Sequence, residues 1–161
     1  MIKRPASLFR DPGTFFHIRM GEYILQSGQF PYKDFFSFTF SGEPWIAQQW
    51  LGECLMAFIH RIAGFDGLLL ATAKILAGLY AWITHRLIRS GMHFLLVTML
   101  IVFTLAASAF HFHVRPHILS ILFLGIIFSL LLDFEAGRIK CACLFWMGPI
   151  FLIWANIHGG Y

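Results

Sequence analysis

Acidic residues are scarce over most of this 161-residue sequence, and after Asp66 only Asp133 and Glu135 remain. Charged residues make up 12% of the chain and hydrophobic residues 58%, with a mean hydropathy of +0.72. Soluble domains carry roughly a quarter charged residues. The composition therefore argues against an ordinary soluble domain and predicts an integral membrane protein.

Cysteine and clustered positive charge are also scarce. Cys54, Cys141 and Cys143 lack the CxxC spacing of redox or zinc sites, so we interpret them as packing residues. Six basic residues balance the six acids among the first 66 residues, which leaves no basic stripe and argues against nucleic-acid binding. The basic start is followed by no apolar run, so no cleavable signal peptide is predicted.

Long apolar segments dominate the rest of the chain. A helix needs roughly 20 apolar residues to cross a bilayer. Four segments approach this length, at about 65–88, 93–112, 117–132 and 141–157. The links between them are brief and contain glycine or proline, which predicts antiparallel neighbours. The predicted fold is an all-α polytopic membrane helix bundle.

Basic residues in the short loops predict the orientation of the bundle. Arg86, Arg89, Arg138 and Lys140 flank two of the connections, whereas the connection between those two offers only Arg115. We therefore expect the connection after Arg86 and Arg89 and the connection that holds Arg138 and Lys140 to lie in the cytoplasm. The first 64 residues, the HFHVRPH link and the NIHGGY end would then meet on the outer face.

Residues 1–64 are predicted to form an outer region with two amphipathic juxtamembrane helices. In DPGT, Asp11 can cap a helix and proline suits the first helical position, while Gly28 supplies the stop. Arg19, Glu22 and Gln26 fall on one polar stripe of this helix, opposite an apolar face. Such a helix lies in the membrane interface or packs on a bundle.

An aromatic-rich extended segment leads from this helix to a second, expected at about 47–63 and ending at Gly64. Gln49, Glu53 and His60 share one face of the second helix, and its other face is apolar. Glu53 could line a polar groove or lie on an exposed helix face, and the sequence favours neither. The two helices and the segment between them predict a shelf on the outer membrane surface.

The order of several motifs resembles a known family. GEYIL..G.FP, D.FSFT..G.PW and QQWL.E are followed by RPH and WANIHGG. In this order they resemble bacterial membrane glycosyltransferases of the C superfamily, similar in plan to lipid A aminoarabinose transferases and protein O-mannosyltransferases. The resemblance implies a polyprenyl-phosphate sugar donor and a site on the outer face of the bacterial inner membrane. It also implies an essential acid early in the first outer loop, a position that Asp11 matches.

Inverting transfer from a lipid phosphate needs a carboxylate within hydrogen-bond reach of the acceptor hydroxyl. It also needs groups that stabilise the departing phosphate. We assign the base to Asp11 and the phosphate contacts to Arg115 with His117 or His158. A plain helix cap at Asp11 and a snorkelling side chain at Arg115 are the alternatives.

Further candidates for substrate binding carry polar or charged side chains: His17, Glu22, Gln49, Glu53, Lys74 and Asn156. The simpler prediction for Glu22 is an ion pair with Arg19 on the surface of the helix. Lys74 is a charge inside a predicted span, where charges are costly and usually functional. It would neutralise a lipid phosphate or pair with an acid from another helix.

No metal site is predicted, although dependence on a divalent metal stays open. His111 and His113 point about 200° apart on a helix at about 100° per residue, and Pro116 breaks the geometry that would align His113 with His117. The alternative to substrate binding by Asn156 and His158 is that these residues form an ordinary helix end, which the following glycines stop.

Members of the resembled family have a membrane helix before the acidic loop and usually nine or more spans. We therefore expect the chain to be the N-terminal part of a larger membrane domain. Its expected partners are a polyprenyl-phosphate sugar donor, membrane lipids, and the rest of the same protein or a partner subunit. A non-catalytic membrane subunit or a small transporter component is the alternative function.

Overall fold

A computed structural model describes residues 12–159, and this part of the chain is all-α with five helices. The helices are α1 (Gly13–Ser27), α2 (Trp50–Arg89), α3 (Phe94–Ser108), α4 (His117–Glu135) and α5 (Met147–Ile157). Short 3-10 turns, Ala109–His111 and Cys141–Trp146, follow α3 and precede α5. The all-α prediction is confirmed.

Three of the described helices are long and apolar enough to cross a membrane: α2, α3 with its following turn, and α4. Their surfaces expose large apolar side chains such as Phe103, Leu124 and Phe128, which suits contact with lipid. The fourth predicted span is not among these three helices and stays a prediction. The fourth, 141–157, begins with a 3-10 stretch and remains shorter than the roughly 20 helical residues that a bilayer needs.

Helix α2 joins two helices that the sequence divides. It runs 40 residues from Trp50, and the only non-helical backbone inside it is at Gly64, with φ 62° and ψ −158°. A positive φ favours glycine because it has no Cβ. The predicted helix stop at Gly64 is therefore a kink through which the chain continues, and the helix starts at Trp50 rather than at about residue 47.

Helix α1 follows its predicted limits closely. It ends at Ser27, and Gly28 takes a left-handed φ of 66° while its N–H donates to the Ile24 carbonyl at 2.9 Å. Met20 and Ile24 are buried, whereas Arg19 on the predicted polar stripe is exposed. Asp11, the predicted cap and base, lies outside the described residues.

Helices α1 and α2 pack very closely. A Cβ added at Gly21 would clash with the backbone carbonyl of Glu53 and lie 2.9 Å from the Ala57 Cβ. The neighbouring core holds Ile18 and Met56. A glycine at position 21 therefore sets the distance between the two helices.

The polar face of the first part of α2 points into the protein. Glu53 is 2% exposed, and Met56 beside it is also buried. Phe58 and Ile62, on the predicted apolar face, are 55% and 68% exposed. The interpretation of Glu53 as part of an exposed helix face is therefore wrong. This arrangement suits a helix whose outward face meets lipid.

The segment between α1 and α2 is irregular, with one antiparallel bridge between Lys33 and Pro44. Within it, the Asp34 carboxylate accepts hydrogen bonds from the Phe36 and Ser37 backbone N–H groups and from the Ser37 hydroxyl. These hydrogen bonds, led by that from the Ser37 hydroxyl, hold the pKa of Asp34 below its usual value. We call residues 28–49 the strap.

A salt bridge joins the carboxyl ends of α2 and α4. Arg86 makes two hydrogen bonds to the Asp133 carboxylate, of 2.9 Å and 2.7 Å, and the Arg138 Nε donates to the same carboxylate at 2.7 Å. The two helices therefore run in the same direction. Their carboxyl ends form what we call the basic end of the bundle.

Candidate functional site

The amino end of α1, the link before α4 and the end of α5 meet at one place. The Thr14 hydroxyl donates to the Val114 carbonyl at 2.9 Å. A Cβ added at Gly52 would lie 2.8 Å from both the Ile157 carbonyl oxygen and the Pro116 Cβ. These contacts require a residue without a side chain at position 52. They bring together the segments that the sequence assigns to one membrane face, which we call the α1 end.

A buried acid and histidine lie at the centre of the α1 end. His17 on α1 and Glu53 on α2 are joined by a 3.0 Å contact between Nδ1 and Oε1. The side chains are only 12% and 2% exposed. The other carboxylate oxygen, Glu53 Oε2, is buried and has no hydrogen-bond partner among residues 12–159. A buried oxygen of this kind is costly unless a donor reaches it.

The pair opens into a cavity of about 510 Å³ beneath the strap. Its walls are Phe16, His17, Pro44, Trp45, Ile46, Gln48, Gln49 and Glu53. Ligand pockets commonly measure roughly 300–1,000 Å³ and combine apolar walls with a few polar groups. Gln49 and Glu53 therefore line a cavity with aromatic walls, as one of the two interpretations of Glu53 had it, whereas His60 lines a different cavity.

A second cavity, of about 490 Å³, adjoins the first because both are lined by Ile46 and Gln48. In its wall the Trp50 indole N–H donates to the Asn156 Oδ1 at 2.7 Å. The Asn156 amide nitrogen donates in turn to the Leu152 carbonyl at 2.8 Å. Asn156 thus fixes the end of α5 against the start of α2.

His158 belongs to a hydrogen-bond chain. The Trp154 indole donates to Ser120 Oγ at 2.8 Å, and Ser120 Oγ is 3.1 Å from His158 Nδ1. The Ser120 oxygen accepts the hydrogen bond from Trp154, so the Ser120 hydroxyl hydrogen can be donated to His158 Nδ1. A neutral His158 then carries its own proton on Nε2. Burial, and secondarily the charge of nearby His17, lowers the pKa of His158. His158 is therefore neutral at pH 7.

His117 lies beside His158, with ring centroids 6.2 Å apart. Its Nε2 is 2.6 Å from the His111 carbonyl oxygen, so this nitrogen donates the hydrogen. That bond orients the ring and occupies its Nε2 proton, so a phosphate contact by His117 would have to use the other ring nitrogen.

Arg115 lies at the amino end of α1. A Cβ added at Gly13 would be 2.8 Å from Arg115 Cζ, so the guanidinium packs directly on the first turn of the helix. Helix amino ends carry a partial positive charge. Together, a guanidinium and a helix amino end create a positive potential suited to an anion.

Two predicted substrate-binding residues lie away from this cluster. Glu22 accepts a hydrogen bond from Arg19 at 2.9 Å, as expected for its simpler role, and lies 3.6 Å from His60. It lines a different cavity, of about 540 Å³. Lys74 is exposed on α2, roughly 30 Å along the helix from Glu53 at about 1.5 Å per residue. The structure therefore does not bring Glu22 or Lys74 to the cavity beside Glu53.

The residues that shape the cavities were not predicted from the sequence. Trp45 and Trp50 form walls, and Ser120 orients His158. The tryptophans at both ends of WIAQQW were a signal, because interfacial tryptophan with a polar neighbour suits a boundary site. Across residues 12–159, no three His, Cys, Asp or Glu side chains are grouped to hold a metal ion.

Comparison of the chain with protein-family models, with curated proteins and with solved structures finds no match.

Proposed function

We propose that the protein acts in a membrane glycosyltransferase reaction, in which a sugar passes with inversion from a polyprenyl phosphate to an acceptor at the outer membrane face. The observation that carries the proposal is the buried His17–Glu53 pair, which opens into an aromatic-walled cavity at the same end of an apolar bundle as Arg115. The resemblance of the motif order to C-superfamily glycosyltransferases supports the same conclusion.

The cavity beside Glu53 suits a sugar. The Glu53 carboxylate lines the cavity, and its buried Oε2 would accept a hydrogen bond from a sugar hydroxyl once the bound sugar moves the wall that covers this oxygen. The Gln48 and Gln49 amides can both donate and accept. The Trp45 and Phe16 rings offer apolar surface for the C–H faces of the ring. His17 holds the carboxylate in position through its other oxygen.

The positive groups nearby suit the phosphate of the donor lipid. Arg115 at the amino end of α1 would bind phosphate oxygens through two N–H groups. His158, neutral and with its proton on Nε2, would add a hydrogen bond rather than a charge. A site at the end of an apolar bundle lets the polyprenyl chain stay in the bilayer.

In the proposed reaction the acceptor oxygen bonds to the anomeric carbon while the bond from that carbon to the phosphate oxygen breaks. The phosphate keeps the electron pair, and Arg115 stabilises its charge. The proton of the acceptor hydroxyl passes to a carboxylate, for which Asp11 remains the predicted base.

The test is transfer of a radiolabelled sugar from polyprenyl-phosphate donors in membrane vesicles that hold the protein expressed from its native gene. Asp11→Asn should lower kcat by about 10² to 10⁴, the usual contribution of general acid–base catalysis. Glu53→Gln should lower kcat/KM by about 10- to 150-fold, as expected for one hydrogen bond to a charged group.

Glu43→Gln is the matched control, because Glu43 is an exposed acid on the strap. It should transfer sugar at the wild-type rate. Wild-type rates in the Asp11 and Glu53 variants, or no transfer from any donor, would overturn the proposal. The absence of transfer from any donor would favour the non-catalytic subunit, a role that the exposed Lys74 also suits.

A further inference from the structure

Lys74 places a charge in the middle of a membrane-crossing helix. It follows the Gly64 kink by about 15 Å and precedes the end of α2 at Arg89 by about 22 Å, at about 1.5 Å per residue. The hydrocarbon core of a bilayer is about 30 Å thick. Both membrane surfaces are therefore too distant for an easy snorkelling contact between the ammonium and lipid headgroups.

The side chain of Lys74 is exposed, and none of the salt bridges within residues 12–159 includes it. The sequence contains no acid between Asp66 and Asp133. Asp66 lies about 12 Å away along the helix, and Asp133 is bound to arginines at the basic end. Residues 1–161 of a second copy in the same orientation therefore offer no carboxylate at the depth of Lys74.

The surface around Lys74 is shaped for a close helix contact. Ala73, Ala77 and Ala81 repeat every four residues and are all exposed. A Cβ added at Gly78 would meet no atom within 4 Å. Small residues at this spacing let two membrane helices bring their backbones together. We call Lys74 and these four small residues the Lys74 face.

We propose that the Lys74 face docks a transmembrane helix from outside these 161 residues that carries an aspartate or glutamate at mid-membrane depth. Charge complementarity selects this occupant, because a charge in the bilayer centre is costly unless it is paired. The small residues bring the partner backbone close enough for the carboxylate to reach the ammonium. This proposal is independent of the glycosyltransferase proposal, since it uses none of the residues at the α1 end.

The test uses synthetic membrane-spanning peptides with a leucine and alanine core. Their central residue is aspartate, leucine or lysine. The protein carries a donor fluorophore and each peptide an acceptor, and energy transfer is measured in phosphatidylcholine vesicles. The wild type should bind the aspartate peptide at least about tenfold more tightly than the leucine peptide, as one charge pair in a membrane implies.

Lys74→Leu should abolish this preference, and Lys74→Glu should transfer it to the lysine peptide. Lys140→Leu, which removes a lysine outside the membrane-crossing helices, is the matched control and should keep the wild-type preference. Equal binding of all three peptides by the wild type would overturn the proposal. A preference for the aspartate peptide that survives in Lys74→Leu would also overturn the proposal. Association of two wild-type copies through the Lys74 face would overturn it as well.

Discussion

Gly21 holds α1 against α2 at the point where Glu53 faces His17, and Gly21→Ala tests that contact. The added methyl group would meet the Glu53 backbone carbonyl and the Ala57 Cβ. A helix backbone cannot turn aside as a flexible side chain can. The two helices must therefore separate.

Two effects set the size of the destabilisation. Overpacking by a methyl group costs about 1–3 kcal/mol. The higher helix propensity of alanine returns about 0.8–1.0 kcal/mol. Gly78→Ala is the matched control, because Gly78 also lies in a helix interior but has open space at its Cβ position. The propensity gain cancels because both glycines lie in helix interiors. Gly21→Ala should therefore be less stable than Gly78→Ala by about 1–3 kcal/mol, or about 5- to 150-fold in the unfolding equilibrium.

The measurement is equilibrium unfolding in mixed detergent micelles, followed by tryptophan fluorescence. A second readout is the ¹⁵N chemical shift of His17 Nδ1, because separation of the helices would lengthen its 3.0 Å contact with Glu53. If Gly21→Ala is as stable as Gly78→Ala and the His17 signal is unchanged, the close contact between α1 and α2 is refuted.

Three further predictions concern charge. NMR titration of His158 should give a pKa below its usual value, and His17→Gln should raise it by removing a nearby positive charge. Because folding lowers this pKa, His158 favours the folded state at neutral pH and that contribution is lost as the pH falls below about 6.5. Ser37→Ala should raise the pKa of Asp34, since the hydroxyl bond is the largest cause of its lowering; an unchanged titration would contradict the strap geometry. Asp133→Asn should lower the thermal unfolding midpoint, because the arginines at the basic end lose a shared carboxylate; no change would mean that this cluster contributes nothing.

The spacing of apolar residues and the positions of helix-ending glycines predicted much of the fold. The helix limits of α1 follow from a polar stripe, an apolar face and the stop at Gly28, all of which are local. The long apolar helices follow from composition. The joining of two predicted helices into α2 did not follow, because a glycine with positive φ can end a helix or bend it. The shortfall of the fourth predicted span also depends on the 3-10 turn before α5.

The candidate site was predicted in part. His17, Gln49, Glu53, Asn156 and His158 were named from the sequence and lie at the α1 end or in its cavity walls. The burial of the carboxylate was not decided by the sequence, because a polar helix face can point to water or into the protein. In this chain the apolar face of α2 is the exposed one, as a lipid environment permits.

The sequence by itself determined that the chain is helical and apolar, and that six of its eight acids lie in the first 66 residues. Those properties depend on composition and on neighbours a few residues apart along the chain. Only the tertiary structure decided that His17 meets Glu53 and that Arg115 packs on Gly13. It also decided that Lys74 remains exposed. The physical reason is that these contacts depend on how closely helices that are distant in sequence can approach one another. Glycines such as Gly21 and Gly52, which have no Cβ, permit that close approach.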